Sequence, residues 1–121
     1  MDLIYIFVGG GLGSICRYGI SRLALQWNHP LPLGTIIANI LACLALGLVV
    51  GWSMKSSEHR VAQLLFAVGF CGGFSTFSTF SLENVTLWQN GAYGTAMLNM
   101  AISVVICFVC VLAGIKLGSA W

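Results

Sequence analysis

Long uncharged runs, mostly apolar, dominate the pattern of this chain. Residues 23–54, 61–82 and 84–115 contain no Asp, Glu, Lys or Arg. A helix that crosses a bilayer needs about 20 predominantly apolar residues. WNHPLP at 27–32 and NGAYG at 90–94 hold turn-forming residues that interrupt the first and last runs. The pattern therefore predicts four helices, at about 3–24, 33–53, 61–86 and 92–116.

Composition places these helices in a membrane. Of the 121 residues, 59% are hydrophobic and 7% charged, against about 25% charged in soluble domains. A small soluble domain cannot bury so much apolar surface, and helices satisfy their own backbone groups in lipid. We therefore expect an all-α membrane protein in which residues 1–121 form a single integral membrane domain.

Charged residues give only a weak preference for one orientation. An even number of helices places both termini on one side, together with Lys55, Arg60 and Lys116. The other side has Arg22, and Arg17 if that side chain reaches the interface. Because the positive-inside bias is small, the chain can insert either way, although one fixed orientation stays open as the alternative.

Small residues recur at a spacing of four, which lets helices approach closely. The pairs either pack helices within one chain or join two copies. The short chain favours self-association, with a dimer as the simplest closed assembly. The pairs are Gly9 and Gly13, Ala38 and Ala42, Gly47 and Gly51, and Gly69 and Gly73.

Two polar groups inside apolar runs need an explanation. Asn39 lies in the second helix and shares a face with Thr35; it is either a hydrogen-bonding link between helices or a donor that faces a polar path. Arg17 either extends to the interface or contacts backbone carbonyls, or has the functional role that is usual for a charge within a membrane.

The segment GFCGGFSTFSTFS, at 69–81, interleaves rings and hydroxyls without any charge. Paired glycines disfavour a helix interior, so we expect the third helix to be broken near Gly72-Gly73. A break leaves free carbonyls, which can hold a cation, and free N–H groups, which favour an anion.

The repeated triplet STF predicts separate stripes of rings and hydroxyls on a helix, because residues three apart are neighbours. Hydroxyl hydrogens and the positive edges of aromatic rings can hold an anion without charge. The alternative is that the rings only pack, while the hydroxyls bond back to carbonyls. The expected neighbours are Phe77 and Phe80, Thr76 and Thr79, and Ser75 and Ser78.

Five cysteines lie within the apolar segments rather than in loops. We interpret them as small buried apolar residues, with redox or metal roles as the alternative. They are Cys16, Cys43, Cys71, Cys107 and Cys110.

Three segments resemble the signature segments of the Fluc/CrcB fluoride channels. They are GGLGSICRY at 10–18, PLGTIIAN at 32–39 and GFCGGFSTFSTFSLE at 69–83. The resemblance extends over the whole chain in length, helix count and motif order, and the third segment is the most specific.

The resemblance implies an antiparallel, dual-topology homodimer with two fluoride pores lined by both subunits. It implies a multi-pass protein of the bacterial inner (cell) membrane that lets cytoplasmic fluoride exit passively and so lowers fluoride toxicity. It also implies a structural sodium ion (Na+) at the dimer centre that is not transported. The implied partners are fluoride, a second copy and the lipid bilayer, with no nucleic acid, and the implied protein is not an enzyme.

Individual roles are carried over by the same resemblance. The pore residues would be Asn39, Phe77, Phe80, Ser78, Thr79, Ser103 and Asn99, supported by Thr35, Arg17 and Glu83. The backbone carbonyls of Gly72 and Ser75 would hold the sodium. Asn99 stands where family members often have a pore-lining Tyr, so the fourth helix departs from the family pattern.

Two other functions fit a short four-helix membrane protein. A small multidrug exporter would need a carboxylate embedded in the membrane, whereas Glu83 only ends the third-helix motif and Asp2 begins the first helix. A non-transporting membrane subunit of a larger complex would have no need of the STFSTF arrangement.

Overall fold

Helices joined by turns and short extended segments make up the described chain, which confirms the prediction of an all-α protein. The computed structural model describes residues 1–121, apart from the side chain of Ser57. Helix α1 is Asp2–Ala24, followed by a 3-10 turn at Leu25–Trp27, and α2 is Leu33–Ser53. The last helix, α5, is Tyr93–Ser119 and ends a few residues later than predicted.

The third span consists of two helices joined by extended backbone. The first, α3, covers residues 60–74 and is built from Arg60–Ala62, a π-helical stretch at Gln63–Cys71, and Gly72–Phe74. Ser75 and Thr76 are both extended, with ψ of 156° and 119°. The second helix, α4, is Phe77–Gln89.

Four segments are long and apolar enough to cross a membrane. They are Asp2–Trp27, Leu33–Ser53, Arg60–Gln89 and Tyr93–Ser119. The turns between them lie where the sequence predicts interruptions. Asn28 adopts a left-handed conformation in the first turn, and Gly91, with φ of 77°, follows the end of α4. The N–H of Ala92 reaches back to the Leu87 carbonyl at 2.9 Å, the closing bond of a Schellman motif.

Helices α1 and α3 pack in parallel through facing glycines. A Cβ atom added to Gly9 would overlap with the Leu65 carbonyl, and one added to Gly13 would overlap with the Phe70 carbonyl. From the other side, a Cβ on Gly73 would overlap with the Gly10 carbonyl. Only glycine permits backbones to approach so closely.

Helices α2 and α5 form a second parallel pair in the same way. A Cβ on Gly47 would overlap with the Val111 carbonyl, and one on Gly51 would overlap with the Ile115 carbonyl. The glycines spaced four residues apart therefore pack helices of the same chain against each other. The interpretation of these pairs as dimer contacts is wrong, because neighbouring helices of the same chain already occupy the glycine faces.

The third span is broken close to Gly72-Gly73, as predicted, but the break lies just after the pair, at Ser75 and Thr76. Gly72 has helical backbone angles, φ −63° and ψ −39°, and Gly73 packs against α1, so the glycine pair stays helical. The chain leaves the helix only at Ser75. The pair was predicted as a break because glycine disfavours helices, but here close packing explains Gly73.

We expect the Gly47→Ala variant to lose stability, because the new methyl group has to displace the backbone of α5. Overpacking of this kind costs about 1–3 kcal/mol. Gly19→Ala is the matched control, since a Cβ there meets nothing within 4 Å. The unfolding midpoint of the purified protein in detergent measures the difference. An equal midpoint for the two variants would contradict the tight α2–α5 contact.

Candidate functional site

The side chain of Asn39 holds the broken backbone of the third span. Its Nδ2 donates to the Thr76 carbonyl at 3.3 Å, and its Oδ1 accepts the Thr76 N–H at 2.8 Å. Both residues are buried, with 9% and 7% of their surface exposed. The amide therefore replaces the backbone partners that Thr76 loses by leaving the helix, which a buried peptide group requires.

Thr76 also starts the next helix. Its side-chain oxygen accepts the Thr79 N–H at 3.2 Å, the usual bond of a helix N-cap. The same hydroxyl donates to Thr79 Oγ1 at 3.1 Å, and its oxygen lies 3.2 Å from that of Ser78. Three hydroxyls thus meet at the N-terminus of α4, the positive end of the helix dipole.

This arrangement corrects the expected hydroxyl stripe. Ser75 does not lie over Ser78 on a helix, because the backbone is extended at Ser75. The Ser75 hydroxyl instead donates to the Cys71 carbonyl at 2.8 Å. Thr76 and Thr79 do contact one another, but as a cap rather than as stacked positions within a helix.

An open groove of about 280 Å³ brings together several of the predicted pore residues. The lining comes from α2, the break, α4 and α5, and every lining residue is uncharged. Phe77 and Phe80 lie side by side in it, with ring centroids 5.7 Å apart and planes inclined by 39°. Phe77 is 80% exposed. The lining residues used below are Asn39, Cys43, Thr76, Phe77, Phe80, Ser103 and Cys107.

A chain of buried amides supports the groove wall. Asn99, with 0% of its surface exposed, donates to Asn84 Oδ1 at 2.9 Å and accepts from the Ser103 hydroxyl at 3.4 Å. Asn84 in turn donates to the Phe80 carbonyl at 2.8 Å. Asn99 therefore lies behind the groove lining and connects Ser103 on α5 to Phe80 on α4.

Sequence reasoning placed Thr76 in the hydroxyl stripe but missed its roles as the partner of Asn39 and the cap of α4. It also missed Asn84 as part of the site. The signal for Thr76 was a hydroxyl residue three positions before another, at a helix restart. The signal for Asn84 was an uncharged amide four residues after Phe80, which places both on one helix face. Ser78 and Thr79 are exposed at the start of α4, outside the groove lining that the described residues form.

Two carbonyls at the break lose their helical hydrogen-bond donors. The Thr76 N–H, which would bond the Gly72 carbonyl in a continuous helix, goes to Asn39. The Thr79 N–H, which would bond the Ser75 carbonyl, goes to the Thr76 hydroxyl. Gly72 and Ser75 also line a common cavity of about 120 Å³. Neither carbonyl therefore has the hydrogen-bond donor that a continuous helix would supply.

Thr35 and Glu83 form a separate polar contact closer to one end of the bundle. The Thr35 hydroxyl donates to Glu83 Oε1 at 2.7 Å. The pair lies in the wall of a vestibule of about 480 Å³, which Arg22 and His29 also line. Arg17 is half-buried on α1 and lies outside the described lining of both this vestibule and the groove.

A family model described as CrcB-like protein, Camphor Resistance (CrcB), matches residues 4–115. The chain belongs to the CrcB family. This CrcB match includes the groove residues, both halves of the third span and the Thr35–Glu83 contact.

Curated relatives of this CrcB chain include three proteins named fluoride-specific ion channel FluC. The one from Escherichia fergusonii is 41% identical over 102 residues, which is 84% of this chain and 80% of that protein. The one from Azobacteroides pseudotrichonymphae is 39% identical over 115 residues, 93% of this chain and 91% of that protein. The one from Paracoccus denitrificans is 39% identical over 115 residues, 95% and 92% respectively.

We expect Asn39→Ala to destabilise the break, because the variant leaves a buried N–H and a buried carbonyl of Thr76 without partners. Each unsatisfied group costs about 1–3 kcal/mol. Hydrogen–deuterium exchange of the Thr76 amide should therefore become faster. The control is Ser81→Ala, which removes an exposed hydroxyl bond to the Phe77 carbonyl. Unchanged exchange at Thr76 in the Asn39 variant would contradict the role of the amide.

Proposed function

We propose that this CrcB chain is a fluoride-selective channel that lets cytoplasmic fluoride leave down its gradient and so lowers fluoride toxicity. The observation that carries the proposal is the uncharged groove, in which the Asn39 amide, the Ser103 hydroxyl and two phenylalanine rings meet beside a helix break. The names of the curated relatives support fluoride as the ion.

The chemistry of the groove suits a small, strongly hydrated anion. Stripping water from such an ion is costly, so several donors must replace the water without binding the ion too firmly. An amide N–H, a hydroxyl and the positive edge of an aromatic ring all contact an anion without a formal charge. A buried lysine or arginine would hold the ion too tightly for rapid release.

The proposed path begins with the rings and the amide. The Thr76 carbonyl takes one hydrogen of the Asn39 amide, so the second is free to donate to an ion in the groove. Where few hydrogen-bond donors line the groove, the positive ring edges of Phe77 and Phe80 contact the ion instead. The hydroxyl of Ser103 continues the path along α5, and Asn99 orients it through their hydrogen bond.

The remaining predicted residues take supporting roles in this proposal. Ser78 and Thr79 offer hydroxyls at the N-terminus of α4, where the helix dipole favours an anion. The Thr35–Glu83 bond braces α2 against α4 at the vestibule. Arg17 adds positive charge on α1, away from the groove, and thereby attracts anions without binding one in the path.

We further propose that the functional unit is an antiparallel, dual-topology homodimer in the bacterial inner membrane. The groove is open along one side and Phe77 is largely exposed, so a second copy can close it. Glycine faces are already used within the chain, and we assign the dimer contact to the groove face because a second copy there would cover the exposed Phe77 ring. The weak charge bias of Lys55, Arg60 and Lys116 against Arg22 permits both orientations.

A structural sodium ion at the dimer centre fits the carbonyls at the break. Gly72 and Ser75 offer two oxygens that have lost their helical donors, and hard cations prefer oxygen ligands. When bound, sodium would supply positive charge that neutralises these carbonyl dipoles. The ion is not transported in this proposal.

Purified protein in proteoliposomes should pass fluoride in the presence of sodium and exclude chloride. We expect Phe80→Ile to reduce fluoride efflux by tenfold or more, because it removes a ring edge from the groove. The control is Phe66→Ile, on the first half of the third span and outside the groove lining. A fluoride electrode measures the efflux. The absence of fluoride efflux from the unmodified protein would refute the proposed function.

Replacing sodium by a large organic cation should reduce the dimer fraction or the fluoride efflux, because the carbonyls of Gly72 and Ser75 would no longer bind a cation. Size-exclusion chromatography and the efflux assay measure the two effects. A potassium buffer of the same ionic strength is the control for the screening of protein charges by salt. If neither the dimer fraction nor the efflux changes when sodium is replaced, these carbonyls are not sodium ligands.

A further inference from the structure

Two thiols from different helices meet in the wall of the groove. Cys43 on α2 and Cys107 on α5 both line it, and both side chains are free and only partly buried. The two thiols are close enough to influence each other electrostatically. The sequence offered no sign of this pairing, because the two residues are far apart along the chain.

The register of the two helices supports this contact independently. Gly47 packs against the Val111 carbonyl, and α2 and α5 run in parallel. Cys43 and Cys107 each lie four residues before these positions, so both are one turn earlier on the same contact. The close approach that the glycines permit therefore brings the cysteine side chains together.

We propose that Cys43 and Cys107 form a two-thiol site for a soft divalent cation that prefers linear coordination by sulfur, with the mercuric ion as the matching species. When mercury arrives as its chloride, two S–H and two Hg–Cl bonds break and two S–Hg bonds form. Two protons and two chloride ions leave to water, with no change of oxidation state. Soft thiolate ligands select soft metals, and binding requires loss of the thiol protons.

Charge and ligand number both favour this class of ion. Two thiolates and one divalent ion make a neutral product, which suits apolar surroundings where a net charge is costly. A monovalent soft ion on the same two sulfurs would leave one negative charge. Among the described residues, no group of three or more His, Cys, Asp or Glu side chains could hold a metal, which excludes ions that need four such ligands.

Occupation of this site should block the channel, a consequence that rests on the proposed function. The bound ion would lie in the groove wall, with Ser103 one turn before Cys107 on α5 and the Phe80 ring in the same groove. It would narrow the path and place a large soft atom where a fluoride ion needs donors. Mercuric chloride is neutral and can reach the groove through lipid even when a second copy covers it.

The binding test uses a background with only the two thiols, Cys16→Ala, Cys71→Ala and Cys110→Ala in the full chain. The purified protein is titrated with mercuric chloride, washed briefly with glutathione and examined by intact mass and by free-thiol titration. We expect one mercury per chain and no remaining free thiol. The matched control adds Cys43→Ala. It should retain about one tenth of the mercury or less after the wash, because a single thiol cannot chelate the ion.

Other stoichiometries would overturn the site. Two mercury atoms per chain, or one free thiol beside one bound mercury, would mean that the sulfurs do not face each other. Adding Cys107→Ala instead of Cys43→Ala provides a second control if the first variant fails to fold. Retention of mercury in either control at the level of the two-thiol protein would also overturn the proposal.

Fluoride efflux then separates this inference from the function on which it rests. Each variant is compared with its own rate before mercury is added, and the two-thiol protein should lose most of its efflux. Chelation with unchanged efflux would overturn the placement of the site in the path. Chelation in a protein that passes no fluoride even before mercury would refute the proposed function and leave the metal site intact.

Discussion

The pair of hydrogen bonds between the Asn39 amide and the Thr76 main chain is the constraint on which the rest of the site depends. A peptide group inside a membrane needs partners, and Thr76 finds them on another helix. This exchange lets the third span leave its helix after Phe74 and restart at Phe77, with two extended residues between. The free carbonyls of Gly72 and Ser75, the cap of α4 and the position of both rings all follow from that exchange.

Glycine contacts supply the rigid frame around this break. The pairs α1–α3 and α2–α5 approach so closely that a single methyl group would collide with backbone, so neither pair can slide without loss of packing. Asn39 projects from α2 of one pair, and Thr76 lies in the link that follows α3 of the other. The hydrogen bonds at the break therefore also fix how the two pairs sit against each other, and the groove lies between the α2–α5 pair and α4.

Hydropathy and two turn-forming segments were enough to predict the four spans, because helices that cross lipid must be long and apolar. The STFSTF segment and Asn39 were also predicted as candidate functional residues, since uncharged polar groups in lipid need partners. The position of the break was not predictable, because glycine is equally a sign of helix breaking and of close packing. The roles of Thr76 and Asn84 were missed for a related reason. Their partners lie on other elements or depend on where a helix restarts, which local spacing does not reveal.

Parallel pairing of alternate helices has a consequence for biosynthesis. In each close pair, one whole span is made between the two partners, so α1 emerges from the ribosome well before α3, and α2 well before α5. Until then, their glycine surfaces face lipid and offer little to hold them in place. The four spans can reach their final packing only after the last one is inserted. A chain truncated before α5 would leave α2 without its principal neighbour.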